Sequence, residues 1–238
     1  PQAYPAIFGN TDLWRAAFNS FYVAIIGCVL GLIGTCVAAY PMAYGNFYGK
    51  KLYVIIIMFT MWFNAGIVPL FLTIRQLGLY DSLWALILNS MITAYNVVII
   101  RSYFSSIPFS VIESARIDGA TDYRILFQLV IPLSKPVLAT VALWLIVGHW
   151  NDYLNPLVLI HSQEHKTLQL FLKELVLNAE TSTSNLASVN DATNKGVAAL
   201  SQQLKNGVLV VSMVPMLVLY PFLQKFFVSG VMLGSVKG

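Results

Sequence analysis

The chain has 238 residues, of which 58% are apolar and 10% are charged, and its formal net charge is +4. An ordinary soluble domain has roughly 25% charged residues, so this composition argues against a soluble enzyme, and the lack of a cluster of basic and aromatic residues argues against nucleic-acid binding. We therefore predict an all-α polytopic membrane protein in which residues 1–238 form a single transmembrane domain.

Five stretches are long and apolar enough to be predicted as membrane spans. A helix needs about 20 residues to cross roughly 30 Å of hydrocarbon. The predicted spans are Leu13–Gly45, Leu52–Ile74, Ser82–Tyr103, Pro136–Ile160 and Gly207–Phe227. The chain opens with Pro1-Gln2-Ala3, without an initiator Met or a signal-peptide pattern, so we expect a further helix upstream of residue 1.

The positions of the basic residues predict the orientation of these spans. Lysine and arginine are enriched in the cytoplasmic loops of membrane proteins. If residues 108–136 lie in the cytoplasm, that side holds Lys50, Lys51, Arg101, Arg116, Arg124, Lys135, Lys225 and Lys237, and the short loops opposite hold only Arg15 and Arg75. This bias predicts a cytoplasmic C-terminus and places the 161–206 segment outside the cell.

The first span carries Gly27 and Gly31, whose spacing of four residues is typical of close helix contacts in membranes. The contact could lie within the same helix bundle or against a partner subunit, and both remain open. After this span, Gly45-Asn-Phe-Tyr-Gly49-Lys50-Lys51 is one residue short of a phosphate-binding loop and has Lys in place of the required Ser or Thr. We therefore expect that this chain does not bind ATP itself.

Residues 108–136 form a polar island that contains several small residues. Ser110 and Glu113 have the spacing of a capping box, which predicts a helix over Val111–Ile117. Gly119 would supply the turn that ends this helix. A second helix is predicted to end at Pro132, with Tyr123, Leu126, Phe127 and Val130 on one face.

The fourth span carries the polar group Trp150-Asn151-Asp152 just beyond the bilayer centre. A charged residue within a span costs about 2.5–3.5 kcal/mol on insertion scales and usually faces the protein interior. Aromatic faces and amide groups are also what sugar rings and hydroxyls require. Together with Asn64 of the second span, the group is a candidate substrate path or gate, although Asp152 could equally make a structural hydrogen bond to a neighbouring helix.

His161-Ser-Gln-Glu164-His165 matches the H-x-x-E-H zinc pattern. A zinc enzyme would also need a helix and a third ligand nearby, whereas this pattern lies where a span gives way to a loop, and His149 lies within the membrane. We therefore expect no metal site. The apolar stretch Leu168–Leu177 predicts a short surface helix within the polar 161–206 segment.

The order Glu113-Ser114-Ala115, then Gly119, then Ile131-Pro132, resembles the EAA loop of ATP-binding-cassette importer permeases. Asn64-Ala-Gly-Ile-Val-Pro69 and the tail at residues 230–238 narrow the resemblance to the MalG-type carbohydrate importers. It covers about residues 19–238, and it departs from the family pattern at Ser114, where the family has Ala. The family has six spans, so the resemblance implies that the first of them precedes residue 1.

The resemblance implies a permease subunit, and not an enzyme, of an ATP-driven, binding-protein-dependent importer of sugars or oligosaccharides in the bacterial inner membrane. Its partners would be a second homologous permease, two ATPases that carry ATP and Mg, an extracellular sugar-binding protein, and membrane lipid. The cytoplasmic helix-turn-helix coupling loop, residues 108–131, would contact the ATPases. The coupling residues implied by the motif are Glu113, Ser114, Ala115, Arg116, Asp118, Gly119 and Ala120.

Two other classes remain as alternatives. A secondary transporter would need inverted repeats and usually several charges within the membrane, whereas no repeat is visible and Asp152 stands alone in its span. An intramembrane zinc enzyme would need the histidine pattern to bind metal. ATP dependence of uptake separates an importer from a secondary transporter, and zinc content separates both from a metalloenzyme.

Overall fold

The computed structural model describes residues 9, 11–63, 65–175, 177, 207, 213 and 217. Every regular element within these residues is helical, which confirms the predicted all-α class for this part of the chain. The α-helices are α1 (Thr11–Tyr44), α2 (Lys50–Thr60), α3 (Ile67–Gln76), α4 (Leu83–Asn89), α5 (Ala94–Phe104), α6 (Phe109–Ile117), α7 (Asp122–Ile125), α8 (Ile131–Leu133), α9 (Lys135–Asn151), α10 (Leu154–Leu159) and α11 (168–175). A π-helical turn (Leu126–Val130) joins α7 to α8, and a 3-10 turn (Gln163–His165) precedes α11.

Helix α1 corresponds to the first predicted span. Its 34 residues reach about 50 Å at 1.5 Å per residue, more than the roughly 30 Å of hydrocarbon. The negative charge of Asp12, in the first turn, interacts favourably with the positive N-terminal end of the helix dipole. The helix ends where the N–H of Gly45 bonds to the carbonyl of Pro41 at 2.9 Å. Among the described helices, α1 alone is long and apolar enough to cross a membrane as one unbroken helix.

The second predicted span is interrupted between α2 and α3. The described residues in the gap, 61–63, 65 and 66, are not helical, and Gly66, directly before α3, has a φ of +86°, which a regular α-helix does not contain. The sequence runs through this gap without a charged residue. Hydrophobicity predicts where a segment is buried in lipid, but it does not reveal whether its helix is continuous.

The third predicted span is also broken, between α4 and α5. Thr93 has an extended backbone and caps α5, because its hydroxyl accepts from the N–H of Asn96 at 3.3 Å. The described helices give up to three spans if each bent pair is counted as one. The predicted number of five is therefore not confirmed. The fifth predicted span, Gly207–Phe227, lies outside the described residues except for helical Gly207, Met213 and Leu217.

The fourth predicted span is not one continuous helix. Its first helix, α9, ends at Asn151, and a second helix, α10, begins at Leu154. The Asp152 carboxylate accepts from the N–H of Asn155 at 3.2 Å, and such local side-chain bonds compete with the helical backbone ladder. At its other end, α9 meets the preceding helical stretch at 85°, at Ser134.

The described residues divide into two compact units. The first contains residues 9, 11–25, 71–87, 147–175, 177, 207, 213 and 217, and its core consists of Leu13, Trp150, Leu168 and Leu172. The second contains residues 26–63, 65–70 and 88–146, and its larger core includes Met42, Ile100, Phe104, Ile112, Ile125, Val130 and Val141. The predicted coupling loop lies in the second unit, and the group at 150–152 lies in the first.

Candidate functional site

Helix α6 of the predicted coupling loop begins at Phe109, directly after Pro108 and two residues earlier than predicted. No side chain caps it, and Ser110 already lies within its first turn. The Ser110 carbonyl instead accepts from the hydroxyl of Ser114 at 2.9 Å. The predicted capping box is therefore wrong, because a residue with helical backbone cannot take the extended conformation that an N-cap requires. Glu113 is left exposed.

The turn after α6 is formed as predicted. The helix ends at Ile117, and Gly119 has a φ of +80°, a conformation that glycine adopts at little cost. The N–H of Ala120 bonds to the carbonyl of Ala115, and the N–H of Gly119 bonds to the carbonyl of Arg116, both at 3.0 Å. This arrangement satisfies carbonyls that the end of a helix would otherwise leave unpaired.

The helical stretch after the turn continues through Asp122–Leu133, so it ends one residue after Pro132, where its end was predicted. Proline has no N–H, so Pro132 cannot donate to the carbonyl of Gln128, four residues before it. The wider π-helical turn just before it, in which the N–H of Ile131 bonds to the carbonyl of Leu126, accommodates this defect.

The inward face of this stretch consists of Ile125, Leu126 and Val130, which are buried. The sequence placed Tyr123 and Phe127 on the same face, but both are exposed. The extra residue in the π-helical turn changes the helical register, so a constant spacing of 3.6 residues assigns the wrong face. Only Leu126 and Val130 of the predicted face are confirmed as inward.

The seven predicted coupling residues differ in their exposure. The exposed residues are Glu113, Ser114, Arg116, Asp118 and Gly119, and the half-buried residues are Ala115 and Ala120. Ala115 and Ala120 pack against the core of the second unit. Within the described part of the chain, the side chains of Glu113 and Asp118 make no hydrogen bond or ion pair, so both carboxylates are available to a partner.

Large apolar side chains are also exposed on the same loop. Ile117 is 81% exposed and Tyr123 76%, and Phe109 is exposed as well. Ile112, which is fully buried, defines the inward side of α6. Helical spacing from Ile112 would have revealed that Ile117 points outward. Exposed apolar residues beside charged ones are typical of an interaction surface.

The side chains of Trp150, Asn151 and Asp152, the polar group of the fourth predicted span, differ in their exposure. Trp150 is only 2% exposed, and its ring packs edge-on against Phe21 with centroids 4.9 Å apart. Asn151 is exposed and donates to the carbonyl of Val147 at 3.0 Å. Asp152 is half-buried and accepts from the side-chain amide of Asn155 at 2.7 Å. Asn64, the remaining path candidate, lies outside the described residues.

Asp81 attaches the beginning of the 161–206 segment to the turn between α3 and α4. Its φ of +59° is one that Asp and Asn tolerate better than most residues. One carboxylate oxygen accepts from the N–H groups of His161 and Ser162, at 2.8 and 2.9 Å, and from the Ser162 hydroxyl at 3.1 Å. His165 lies 3.9 Å from the same oxygen.

The electrostatics of this attachment predict a pH dependence. Burial raises the pKa of Asp81, but the bonds from Ser162 and His161 and the nearby His165 outweigh it, so the pKa lies below its usual value of 3.8. The carboxylate therefore stabilises the attachment above pH 3.8, and this contribution is lost as the pH falls through the lower folded value. Asp81→Asn should speed amide hydrogen exchange at residues 161 and 162 at pH 7 by roughly fivefold, because a charged acceptor adds about 1 kcal/mol per bond.

The measurement is hydrogen exchange by mass spectrometry in lipid nanodiscs, with both proteins at the same pH so that intrinsic rates cancel. The difference between wild type and Asp81→Asn should shrink as the pH falls below 4. A difference that stays constant down to pH 2 would show that the charge of Asp81 does not hold this segment.

The rest of the described outer segment is also held by polar contacts. The Asn19 amide donates to the carbonyls of Glu164 and Lys166, at 2.7 and 2.9 Å. The ammonium of Lys166 pairs with Glu174 at 2.5 Å. The predicted helix within this segment is present as α11, although its residues Leu168 and Leu172 are buried in the first unit and not at the surface. Of the zinc pattern, His165 is engaged by the Ser162 hydroxyl at 3.1 Å.

The chain is similar to proteins of known class. The family described as "Binding-protein-dependent transport system inner membrane component" matches residues 16–189. The polygalacturonan/rhamnogalacturonan transport system permease protein YtcP of Bacillus subtilis (strain 168) is 35% identical over 236 residues, which cover 99% of this chain and 81% of that protein. Protein LplC of the same organism is 36% identical over 236 residues, covering 99% of this chain and 78% of LplC.

A solved structure is similar as well. The crystal structure of a bacterial ABC transporter involved in the import of the acidic polysaccharide alginate has a TM-score of 0.82 and 33% sequence identity, and the match covers 94% of this chain and 79% of that one. The expected resemblance to carbohydrate-importer permeases is thereby confirmed. The chain belongs to the family of binding-protein-dependent transport system inner membrane components, and it is a permease subunit of an ATP-binding-cassette importer and not an enzyme.

Proposed function

We propose that this subunit conducts a sugar or oligosaccharide across the bacterial inner membrane, driven by ATP hydrolysis on partner ATPases. The observation that carries the proposal is the match over 94% of the chain to a polysaccharide importer of known structure. A relative that matches 99% of the chain is also named for carbohydrate polymers. No specific observation favours the secondary transporter or the zinc enzyme.

The proposed complex contains a second homologous permease, two ATPases with ATP and Mg, and an extracellular sugar-binding protein. The description of the family names a binding protein, and an importer of this class uses ATPases. We assign the ATPase contact to residues 108–131 on the cytoplasmic side. The free carboxylates of Glu113 and Asp118, together with exposed Ile117, support this assignment, because a charged rim around an apolar anchor is typical of protein interfaces.

For the substrate path or gate we propose Asn151 and Asp152, with Asn64 as a further candidate. The exposed amide of Asn151 supports a direct contact with sugar hydroxyls. Trp150 belongs to the same group, but its ring is buried, so we assign it the role of holding Asn151 in place. The carboxylate of Asp152 interrupts the helix, and such irregular backbone at membrane depth occurs only where it is buried in protein or lines a water-filled cavity.

The 161–206 segment is proposed to lie outside the cell and to meet the binding protein, and the C-terminus is proposed to lie in the cytoplasm. The excess of Lys and Arg on the side of residues 108–136 supports this orientation. The bonds that Asp81 accepts from His161 and Ser162 would hold the beginning of the 161–206 segment in a defined position for a partner.

The function is tested by ATP-driven uptake in proteoliposomes. The purified complex, with ATP inside and the binding protein outside, is offered labelled oligogalacturonides and, separately, neutral malto-oligosaccharides. We expect ATP-dependent accumulation of one of the two classes. Accumulation driven by an ion gradient without ATP would contradict the proposal, as would accumulation of neither class in the presence of a binding protein that binds one of them.

The path assignment is tested in the same assay with Asp152→Leu. Removing the carboxylate breaks its two bonds to Asn155 and should lower uptake by about tenfold or more, because a hydrogen bond to a charged group contributes about 1.5–3 kcal/mol. The amount of assembled complex in the membrane should stay unchanged. Full uptake by this variant would remove Asp152 from the path.

A further inference from the structure

The cytoplasmic end of helix α1 is bonded to the chain on both sides of α6, the first helix of the proposed coupling loop. Tyr40 and Tyr44 are one helical turn apart and therefore lie on the same face of α1. Both side chains are buried, and their rings lie 5.5 Å apart. Phenylalanine would serve for apolar packing alone, whereas a buried tyrosine hydroxyl usually requires a hydrogen-bond partner.

Each hydroxyl has a specific acceptor. The Tyr44 hydroxyl donates to the backbone carbonyl of Phe104, the last residue of α5, shortly before the loop. The Tyr40 hydroxyl donates to a carboxylate oxygen of Asp122 at 3.0 Å, just after the turn at Gly119. All of α6 therefore lies between two points that are fixed to α1.

A third bond connects α6 itself to the same system. The guanidinium of Arg116, in the last turn of α6, donates to the same Asp122 oxygen at 3.0 Å. Asp122 is thus shared between α6 and α1. The side chains of Arg116 and Asp122 are 41% and 63% exposed, so their ion pair adds little stability by itself, and its importance lies in connecting the two helices. The series Arg116–Asp122–Tyr40 joins the loop helix to a membrane-spanning helix through side chains alone.

We propose that Tyr40, Tyr44 and Asp122 are positioning residues that transmit the displacement of α6 to α1 during the transport cycle. The inference rests on the proposed function of residues 108–131 as the ATPase contact. Such coupling needs packed or bonded elements that move together. Without the two hydroxyl bonds, α6 could follow the ATPases while α1 remained behind, and ATP would be hydrolysed without transport.

The test compares Tyr40→Phe, Tyr44→Phe and the double variant in the full reconstituted complex. Each change removes one hydroxyl and keeps the ring. The quantity measured is ATP hydrolysed per sugar imported, per assembled complex. We expect this ratio to rise about fivefold or more in the double variant, the low end of coupling between distant sites. A loss confined to folding would lower the amount of complex and leave the ratio unchanged.

Two further variants test whether the bond to Asp122 is the one that matters. Asp122→Ala should raise the ratio like Tyr40→Phe or more, and adding Tyr40→Phe to it should have no further effect, because the bond can be lost only once. Tyr48→Phe is the matched control, since Tyr48 is fully exposed and makes no side-chain bond to a described residue. Its ratio should equal that of the wild type.

The inference and the proposed function can fail separately. If the tyrosine variants keep a normal ratio while Glu113→Ala uncouples hydrolysis from uptake, the loop contacts the ATPases but these tyrosines do not transmit its motion. If Glu113→Ala, Gly119→Leu and the tyrosine variants all keep a normal ratio, the proposed ATPase contact is wrong and the inference falls with it.

Discussion

Gly119→Leu is expected to abolish ATP-driven uptake while leaving the subunit in the membrane at a near-normal amount. Gly119 has a φ of +80°, which costs a residue with a side chain about 1–2 kcal/mol. Among the described residues, no atom beyond its two chain neighbours lies within 4 Å of the place where its Cβ would be, so these residues do not resist the new side chain. The strain falls on the turn between α6 and α7, and the leucine occupies the surface proposed to meet the ATPases.

The matched control is Gly49→Leu. Gly49 also has a positive φ, +86°, and open space around it, but it lies before α2 and outside the proposed contact. The two variants carry a similar backbone strain, so a selective loss in Gly119→Leu would assign the effect to the loop. Uptake and ATPase activity are measured on equal amounts of complex. Normal uptake by Gly119→Leu would count decisively against an ATPase contact at this turn.

Gly31→Leu is expected to lower the stability of the subunit strongly. A Cβ at this position would lie 2.8 Å from the backbone carbonyl oxygen of Met91 and 3.0 Å from a methyl group of Leu145. A backbone atom cannot move aside as a flexible side chain can, so α1 would have to shift away from both neighbours. Overpacking a core costs about 1–3 kcal/mol, and Leu should exceed the effect of Ala at the same site.

Gly148→Leu provides the control, because Gly148 is also within a helix but, among the described residues, no atom beyond its own stretch of helix lies within 4 Å of its Cβ position. The thermal unfolding midpoint in detergent and the yield of monodisperse protein are measured for both variants. We expect a large decrease for Gly31→Leu and little change for Gly148→Leu, where helix propensity even improves. Equal stability of the two variants would show that α1 does not depend on this close approach.

The sequence left the role of the small residues in the first span open between a contact inside the bundle and a contact with a partner subunit. At Gly31 the contact is inside, with Met91 and Leu145 of the same chain. The spacing of two glycines reports only that something comes close. Which helix comes close is decided by how the chain folds back, and this depends on many distant residues at once.

The coupling loop was predicted in most of its local features but not in its faces. The glycine turn at Gly119 follows from one residue's conformational freedom, so the sequence was sufficient to predict it. The capping box failed because the helix starts directly after Pro108, and the inward face of the second helix was partly wrong because of the π-helical turn before Pro132. Both errors concern where a helix begins or changes register, which short sequence patterns specify weakly.

The sequence alone determined the membrane class and the family, because these depend on composition and on motifs that are contiguous in the chain. The tertiary structure decided what depends on residues far apart. In the structure, the Trp150 side chain lies in the core of the first unit, and long apolar stretches are divided into separate helices. Tyr40 lies beside Asp122, which is 82 positions away in the sequence. A hydrogen bond between such distant residues forms only once the helices that carry them have packed. No local sequence pattern could therefore have predicted it.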